Sequence, residues 1–298
     1  MRDRLAPPAG RRRGGRRLWL AAAALLAVLL ALLLTQRPRV VFDEIGEFGR
    51  VRVAEGASGT RTLYTGAGRA RQSVIHPGEP LRLELPYTRV AAIGLALVAP
   101  DARILYVGLG GGAMPMHAHH VLPRAAIDVV EIDPLIVDVA QTWFGFRPDS
   151  LLRVHTGDGR AFIEAAPPQS WDMVVLDAFS DDAIPYSLAT REFLEAVRSR
   201  LAPSGILLSN LWTAGDLYDS MLSTYHSVFG NVHLLQVPER RQVVLLVSVP
   251  PRTVTRDSLL EAAGRLEAIV PGLRAAVRSG YSALSSTGGS VLTDSLRP

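Results

Sequence analysis

Carboxylates follow three successive apolar runs in the middle of the chain, and carboxylates bind hydroxyl, amino and ammonium groups. They are Glu131 and Asp133, then Asp158, then Asp177. In an open parallel sheet the carboxyl ends of the strands meet along one edge, and ligands bind at that edge. The spacing therefore predicts that these acids share one ligand-binding site.

A glycine-rich turn follows the apolar run 104–107 and precedes the first of these acids. Gly108, Gly110, Gly111 and Gly112 leave the backbone free to turn sharply and to lie against a ligand. An acid about 20 residues past such a turn is the usual partner of ribose hydroxyls in nucleotide-binding βαβ units. The turn thus predicts an adenosine-bearing ligand.

The position of Asp158 helps to choose between nucleotides. Gly108, Gly110 and Ala113 also satisfy the spacing of the dinucleotide fingerprint. However, Asp158 lies in a Gly-Asp-Gly turn at the end of the third predicted strand, where a carboxylate suits the amino group of adenine. This second acid favours an S-adenosyl compound over NAD, and no hydride-transfer site is visible in the sequence.

Alternating strands and helices must position these acids. The predicted strands are 104–107, 127–130, 151–155, 171–176 and 205–211. Their alternation with helical segments implies a parallel sheet covered on both faces. Two further runs, 231–237 and 242–249, predict a closing antiparallel pair. We therefore expect an α/β fold with a doubly wound, class I methyltransferase-like (Rossmann-type) sheet.

Composition divides the chain into four predicted parts. Residues 1–39 hold a basic N-terminus and one hydrophobic helix, and residues 40–85 are rich in β formers and glycine turns. The latter predict a small N-terminal antiparallel β domain. The S-adenosyl-binding α/β domain is expected over 86–250, with a C-terminal helix and an irregular tail over 251–298.

The hydrophobic helix is predicted from 17 uncharged residues at 18–34, which follow seven arginines. This length lies at the low end for a membrane span, and the arginine cluster favours a cytoplasmic N-terminus. We expect a single-pass anchor and a location at the cell membrane, with the side of the following domain open. A cleaved signal and a twin-arginine export signal are the alternatives.

The residue types that are missing exclude several chemistries. The chain contains neither Lys nor Cys, so Schiff-base and P-loop lysines, thiol nucleophiles and thiolate metal sites are excluded. The net charge of +4 comes from the first 17 residues, whose seven arginines and one aspartate leave −2 for the remainder. A nearly neutral folded part argues against nucleic acid as a partner.

Five motifs together resemble the polyamine aminopropyltransferases, the spermidine synthase family. The resemblance is to the branch whose members often carry membrane segments next to the enzyme domain. The five motifs are Gly108–Gly112, Glu131–Asp133, Gly157–Gly159, Trp171–Asp177 and Thr190–Phe193. The resemblance extends from Phe42 to Val249. It implies transfer of an aminopropyl group from decarboxylated S-adenosylmethionine to a small amine such as putrescine, without a metal ion. It also implies S-adenosylmethionine as an alternative co-substrate and, by analogy, a possible homodimer.

The same resemblance assigns roles to individual residues. It places ribose on Glu131, adenine on Asp158 and the glycine turn along the co-substrate, and it adds Asp133, Gly159 and Gln72 to the binding set. The loop that begins at Asp177 would face the reacting amine. The catalytic residues that the resemblance implies are Asp177, Ser180 and Asp181.

Three motifs depart from the family pattern. The family's glycine motif has an aspartate where this chain has Gly111, and its catalytic aspartate falls on Ser180, one residue before Asp181. The family's Tyr-His-Glu becomes Tyr87-Thr88-Arg89. Asp181 serves as the base if the loop shifts by one residue. The alternatives are therefore an S-adenosylmethionine-dependent methyltransferase, or a catalytically silent, membrane-tethered ligand-binding domain.

Overall fold

The computed structural model describes residues 19–20, 38–66, 71–79, 81–179, 184–238, 241–285 and 288–296 of the 298-residue chain. The predicted hydrophobic helix at 18–34 lies outside this part except for Trp19 and Leu20. Within the part described, no helix has the length and apolar character needed to cross a bilayer. We therefore withdraw the membrane anchor and the cell-membrane location that the apolar run favours.

An N-terminal sheet of four antiparallel strands confirms the predicted β domain. Its strands, paired in the order β1-β2-β3-β4, are β1 (Arg39–Gly46), β2 (Gly49–Glu55), β3 (Arg61–Thr65) and β4 (Ser73–Ile75). Val51 and Val53 alternate with more exposed residues on β2, and both are buried. This period of two directs one face of the sheet onto the core of the α/β part.

The second sheet has eight strands, of which the first five along the chain are parallel. These strands are β5 (Arg103–Val107), β6 (Ala126–Glu131), β7 (Leu152–Thr156), β8 (Trp171–Leu176), β9 (Leu201–Trp212), β10 (His233–Gln236), β11 (Gln242–Ser248) and β12 (Tyr281–Ala283). They lie in the order β12-β10-β11-β9-β8-β5-β6-β7, and β10 to β12 run antiparallel to their neighbours. The sheet confirms the predicted Rossmann-like fold.

Helices cover both faces of this sheet. They are α1 (Pro86–Ala91), α2 (Ala113–Val121), α3 (Pro134–Trp143), α4 (Gly159–Ala165), α5 (Arg191–Arg200), α6 (Tyr218–Phe229), α7 (Arg256–Leu266) and α8 (Leu273–Gly280). Short 3₁₀ segments occupy Ala92–Ala96, Tyr186–Leu188 and Asp294–Leu296. One apolar layer joins α1–α3, α7, α8 and the β domain to the sheet, and a second layer holds α4–α6.

Two of the acids that follow strands also begin helices. The carboxylate of Asp133 accepts a hydrogen bond from the backbone N–H of Leu135, and that of Asp158 accepts one from Ala161. An N-cap carboxylate satisfies a helix N–H that has no partner inside the helix. These bonds fix the turn from strand to helix, so the acids stay at the edge of the sheet.

The C-terminal region contains more regular structure than the predicted single helix and irregular tail. Leu273 and Val277 lie four residues apart on α8 and are both buried, which gives this second helix an apolar face. The strand β12 then pairs with β10. Leu292 is buried as well, and its backbone N–H donates to the side-chain oxygen of Thr224.

Candidate active site

A cavity of about 390 Å³ lies between the β domain and the carboxyl ends of the parallel strands. Its lining includes Gly108 after β5, Glu131 at the end of β6, Asp158 after β7 and Asp177 after β8. The four strand ends are therefore brought together, as their spacing predicts. Of the predicted site residues that the structure describes, all except Gly111 and Gly112 line this cavity.

The glycine turn packs directly against the strand that carries Asp177. Gly108 has a φ of +98°, and a Cβ atom at this position would lie 2.3 Å from the backbone oxygen of Asp177. Only glycine satisfies both the positive φ and this close approach. The cavity is consequently walled by backbone at this point.

Glu131 is held in place by the turn itself. One carboxylate oxygen accepts the backbone N–H of Leu109 at 2.9 Å, and the other accepts that of Asp133 at 3.1 Å. Burial raises the pKa of Glu131, while these two hydrogen bonds oppose the rise. Each carboxylate oxygen has further acceptor capacity. The carboxylate is thus preoriented and can still accept hydrogen bonds from ligand hydroxyls.

Three other predicted binding residues surround the same space. Asp158 lies at the cavity wall, and its Oδ1 is the helix cap atom. A Cβ atom on Gly159 would lie 2.5 Å from a methyl group of Val107, so the turn after β7 packs closely on β5. Gln72 precedes β4, and its backbone N–H donates to the oxygen of Leu63 at 2.9 Å. A Cβ atom on Gly110 would lie 4.0 Å from the backbone oxygen of Gln72, so this end of the β domain borders the glycine turn.

Asp177 is a half-buried acid of the cavity, and two side chains hold its carboxylate. Its Oδ2 accepts a hydrogen bond from the hydroxyl of Tyr87 at 2.9 Å, and its Oδ1 accepts one from Nδ2 of Asn210 at 3.0 Å. Burial raises the pKa of Asp177 to about 6, although both hydrogen bonds favour the ionised form. The group is therefore mostly ionised at neutral pH, with a pKa close enough to accept a proton during a reaction.

The other two predicted catalytic residues, Ser180 and Asp181, lie outside the described residues. In their place the structure reveals two partners of Asp177 that the catalytic prediction omits. Tyr87 comes from α1, and Asn210 comes from β9. The available signal for Asn210 was a single carboxamide, directly after Ser209, in the mainly apolar run that ends the fifth parallel strand.

The family aspartate that is absent at Gly111 has no room in this structure. A Cβ atom there would lie 2.6 Å from the ring of Phe144 and 2.7 Å from the hydroxyl oxygen of Ser73. Arg89, which replaces a family acid, does not line the cavity. Its guanidinium donates to the backbone oxygens of Leu83 and Glu84 and so holds the loop before α1.

His117, which follows the glycine turn, does not line the cavity. His117 is buried, and its Nδ1 lies 3.1 Å from the backbone oxygen of Leu81. Burial lowers the pKa of His117 to about 4. Across the described ranges of the chain, no group of three or more His, Asp or Glu side chains is arranged to hold a metal ion.

Comparison with protein-family models gives no match. The chain is 37% identical over 192 residues to a polyamine aminopropyltransferase of Vibrio vulnificus, covering 62% of this chain and 64% of that protein. It is 33% identical over 179 residues to the human eEF1A lysine and N-terminal methyltransferase, covering 55% of this chain and 25% of that protein. The chain thus spans less than two thirds of the length of these relatives. A polyamine aminopropyltransferase of Chromobacterium violaceum is 28% identical, over 75% of this chain and 83% of that protein.

Solved structures share the fold. A probable spermidine synthase from Corynebacterium glutamicum superposes with a TM-score of 0.65 at 20% identity, covering 79% of this chain and 95% of that chain. Human methyltransferase-like protein 13 in complex with SAH gives a TM-score of 0.58 at 30% identity, covering 63% of this chain and 93% of that chain. The comparisons confirm the Rossmann-like methyltransferase/spermidine synthase fold.

The names of these relatives bear on the predicted function. The relatives are transferases, and a spermidine synthase-like aminopropyltransferase fits their names. Methyltransferases are present among them as well. The comparisons give no support to a homodimer, which stays a prediction from analogy.

Proposed function

We propose that this chain is an S-adenosyl-dependent transferase of the spermidine synthase family, which transfers an aminopropyl group from decarboxylated S-adenosylmethionine to a small amine. The observation that carries the proposal is Asp177, an acid hydrogen-bonded to Tyr87 and Asn210 in the cavity that Glu131 and Asp158 share. The names of the bacterial relatives support the same reaction.

The reaction is a substitution at a carbon beside a sulfonium ion. The lone pair of the amine nitrogen forms a C–N bond, while the C–S bond breaks and its electron pair stays on sulfur as a neutral thioether. The nitrogen gains positive charge and loses a proton, which the carboxylate of Asp177 accepts. Such general-base catalysis contributes typically about 10²–10⁴-fold when the base is within hydrogen-bond reach.

The remaining residues of the cavity hold the co-substrate. Glu131 is oriented by the backbone of the glycine turn, and its oxygens suit the two hydroxyls of a ribose. Asp158 lies beyond it at the end of β7 and suits the amino group of adenine. The turn at Gly108 allows the backbone to lie along the ligand between them. These roles for Glu131 and Asp158 are part of the proposal.

Calorimetry with the full chain tests the co-substrate. Decarboxylated S-adenosylmethionine, S-adenosylmethionine and methylthioadenosine are titrated in turn, and we expect the decarboxylated form to bind more tightly than S-adenosylmethionine. Putrescine and the decarboxylated form together should then release methylthioadenosine. Absence of binding by all three ligands would contradict the proposal.

A methyltransferase on the same fold is the second candidate, and one cavity residue favours it. Arg71 lines the cavity and has no ion-pair partner among the residues of the described ranges. A guanidinium suits the carboxylate that S-adenosylmethionine carries and that its decarboxylated form lacks. Under this reading Arg71→Gln weakens the binding of S-adenosylmethionine and leaves that of methylthioadenosine unchanged. The match to human methyltransferase-like protein 13 points in the same direction.

A further inference from the structure

Asn210 has an unusual environment for a buried carboxamide. It lies near the end of β9, is 5% exposed and lines the cavity. Its Nδ2 donates to Asp177, but its Oδ1 is buried without a hydrogen-bond partner among the groups that the structure describes. Buried polar atoms are paired in the great majority of cases, so a free acceptor at a cavity wall indicates a donor that arrives with a ligand.

The orientation of this carboxamide is fixed by its neighbour. Turning the amide over would bring Oδ1 against the ionised Oδ1 of Asp177 and would remove a hydrogen bond from a buried charge. Residue 210 is paired with Val244 of β11, whose side chain offers no hydrogen-bond donor. The buried oxygen therefore keeps no hydrogen-bond partner among the described residues for as long as Asp177 is ionised.

The acids of the cavity are distributed unevenly around Asn210. Among the described lining residues, Glu131, Asp133 and Asp158 follow β6 and β7, on the side of Asp177 away from β9. On the side of β9 and β11 the lining is formed by Asn210, Trp212 and Gln242. An acceptor that lies against β9 and β11 therefore contacts these carboxamides and the indole near the carboxylate of Asp177.

We propose that Asn210 binds the reacting nitrogen of the acceptor, which is a primary amine whose N–H donates to the free Oδ1 while a second N–H faces Asp177. This assignment rests on the proposed transfer from a sulfonium to nitrogen. A neutral primary amine has two N–H groups for these two acceptors and directs its lone pair at the carbon. After the C–N bond forms, the proton facing Asp177 passes to its carboxylate. A hydroxyl group has one hydrogen and leaves one of the two acceptors without a donor.

Binding of simple amines tests the assignment separately from the reaction. Calorimetry titrates putrescine or n-butylamine into the full chain, with and without saturating methylthioadenosine. Asn210→Leu removes the free oxygen, and we expect the affinity for both amines to fall at least about tenfold, the effect of one lost hydrogen bond. The affinity for methylthioadenosine should stay within about twofold, because its proposed contacts lie across Asp177.

Two matched variants control for a structural effect. Asn210→Asp keeps an oxygen at the same place and shares a proton with Asp177, so we expect amine affinity within about threefold of the wild type. Ser209→Ala changes the neighbouring residue on the opposite face of β9, and it should leave amine binding unchanged. Thermal unfolding of each variant establishes that the fold is retained.

The outcomes separate this inference from the proposed function. If amine binding depends on Asn210 but the chain releases no methylthioadenosine, the amine site is supported and the transfer reaction is contradicted. If Asn210→Leu still transfers the aminopropyl group with an unchanged KM for the amine, the proposed amine site is overturned and the proposed reaction is supported. Failure of the wild-type chain to bind either amine, in both conditions, also overturns the site.

Discussion

The two ends of the cavity are built in different ways. At one end, Glu131 and Asp158 are held by backbone N–H groups of residues within about 25 positions along the chain. At the other end, Asp177 is held by the side chains of Tyr87 and Asn210, which are 90 and 33 residues away from it. The first end is fixed by local turns, and the second exists only once three distant segments have packed together.

This difference affects how each end responds to substitution. Backbone donors remain when a neighbouring side chain changes, so Glu131 keeps its hydrogen bonds in any variant that leaves the backbone of the glycine turn in place. The end with Asp177 depends on two single side chains, each of which stabilises the ionised form of one buried carboxylate. We therefore expect the largest losses of activity from this end, with co-substrate binding retained.

The largest expected effect follows from Asp177→Asn. The variant keeps the shape of the side chain and removes the proton acceptor, so we expect the release of methylthioadenosine from decarboxylated S-adenosylmethionine and putrescine to fall by about 10²–10⁴-fold. Calorimetry with methylthioadenosine should give the wild-type affinity. Stopped turnover together with lost binding would instead mean that Asp177 supports the whole cavity.

Asp172→Asn is a suitable control for this variant. Asp172 lies on β8, the strand that leads to Asp177, but its carboxylate forms an ion pair with Arg103 at the opposite end of the strand. We expect turnover of Asp172→Asn to stay within about twofold of the wild type, because an exposed ion pair contributes little. A loss comparable to that of Asp177→Asn would contradict the assignment of the base.

The contrast between the two ends also explains how far the sequence could predict the site. Gly108, Glu131 and Asp158 lie in local motifs after strands, so their types and spacing predicted their common location. Asn210 lies in no motif, and Tyr87 lies in one whose next two residues depart from the family pattern. The contacts of both with Asp177 depend on the packing of α1 and β9. The parallel direction of the first five strands of the sheet followed from alternation, whereas their order, α8 and β12 required tertiary contacts that short segments do not reveal.

The next effect concerns the pH dependence of stability. The pKa of Asp177 rises from an ordinary 3.8 to about 6 on folding, so burial of the charge destabilises the fold at high pH. The stabilising effect of its protonated form is complete below about pH 4 and is lost as the pH rises through 6. A shift of this size corresponds to about 3 kcal/mol in the free energy of unfolding.

Urea unfolding at pH 4 and pH 7 measures this effect in the wild type and in Asp177→Asn. We expect the drop in the free energy of unfolding from pH 4 to pH 7 to be smaller in the variant by about 2–2.5 kcal/mol, because Asp177 of the unfolded chain is already partly ionised at pH 4. Glu131 also has a raised pKa, and its contribution is common to both proteins. Equal decreases in the free energy of unfolding in the two proteins would show that folding does not raise the pKa of Asp177.

A smaller effect is expected where the family acid is missing. Gly111→Ala places a Cβ atom 2.6 Å from the buried ring of Phe144, which has no space to move away. We expect a loss of about 1–3 kcal/mol in the free energy of unfolding, as for other overpacked sites.

Gly264→Ala is the matched control, since a Cβ atom on that residue of α7 meets nothing within 4 Å. Gly264→Ala should raise stability by up to about 1 kcal/mol, because alanine is the better helix former. A stable Gly111→Ala would mean that the family's acid was lost for a reason other than space.

The smallest expected effect concerns Arg160, a side chain near Asp158 that contacts another segment of the cavity lining. Arg160 follows the turn of Asp158 and donates to the backbone oxygen of Ser187, which borders the cavity beside Asp177. Its guanidinium is also paired with Asp294, at 2.6 Å, in a partly exposed position. We expect Asp294→Asn to lower the free energy of unfolding by no more than about 1 kcal/mol, because water screens such a pair.

The backbone contact of Arg160 with Ser187 does not require Asp294, so amine and methylthioadenosine affinities should stay within about twofold in Asp294→Asn. Arg160→Gln removes that contact as well and serves as the comparison. A fall in amine affinity in Arg160→Gln, with methylthioadenosine affinity unchanged, would place Arg160 with the end that depends on side chains. Equal falls in both affinities would show instead that the two ends of the cavity are held as one unit through this guanidinium.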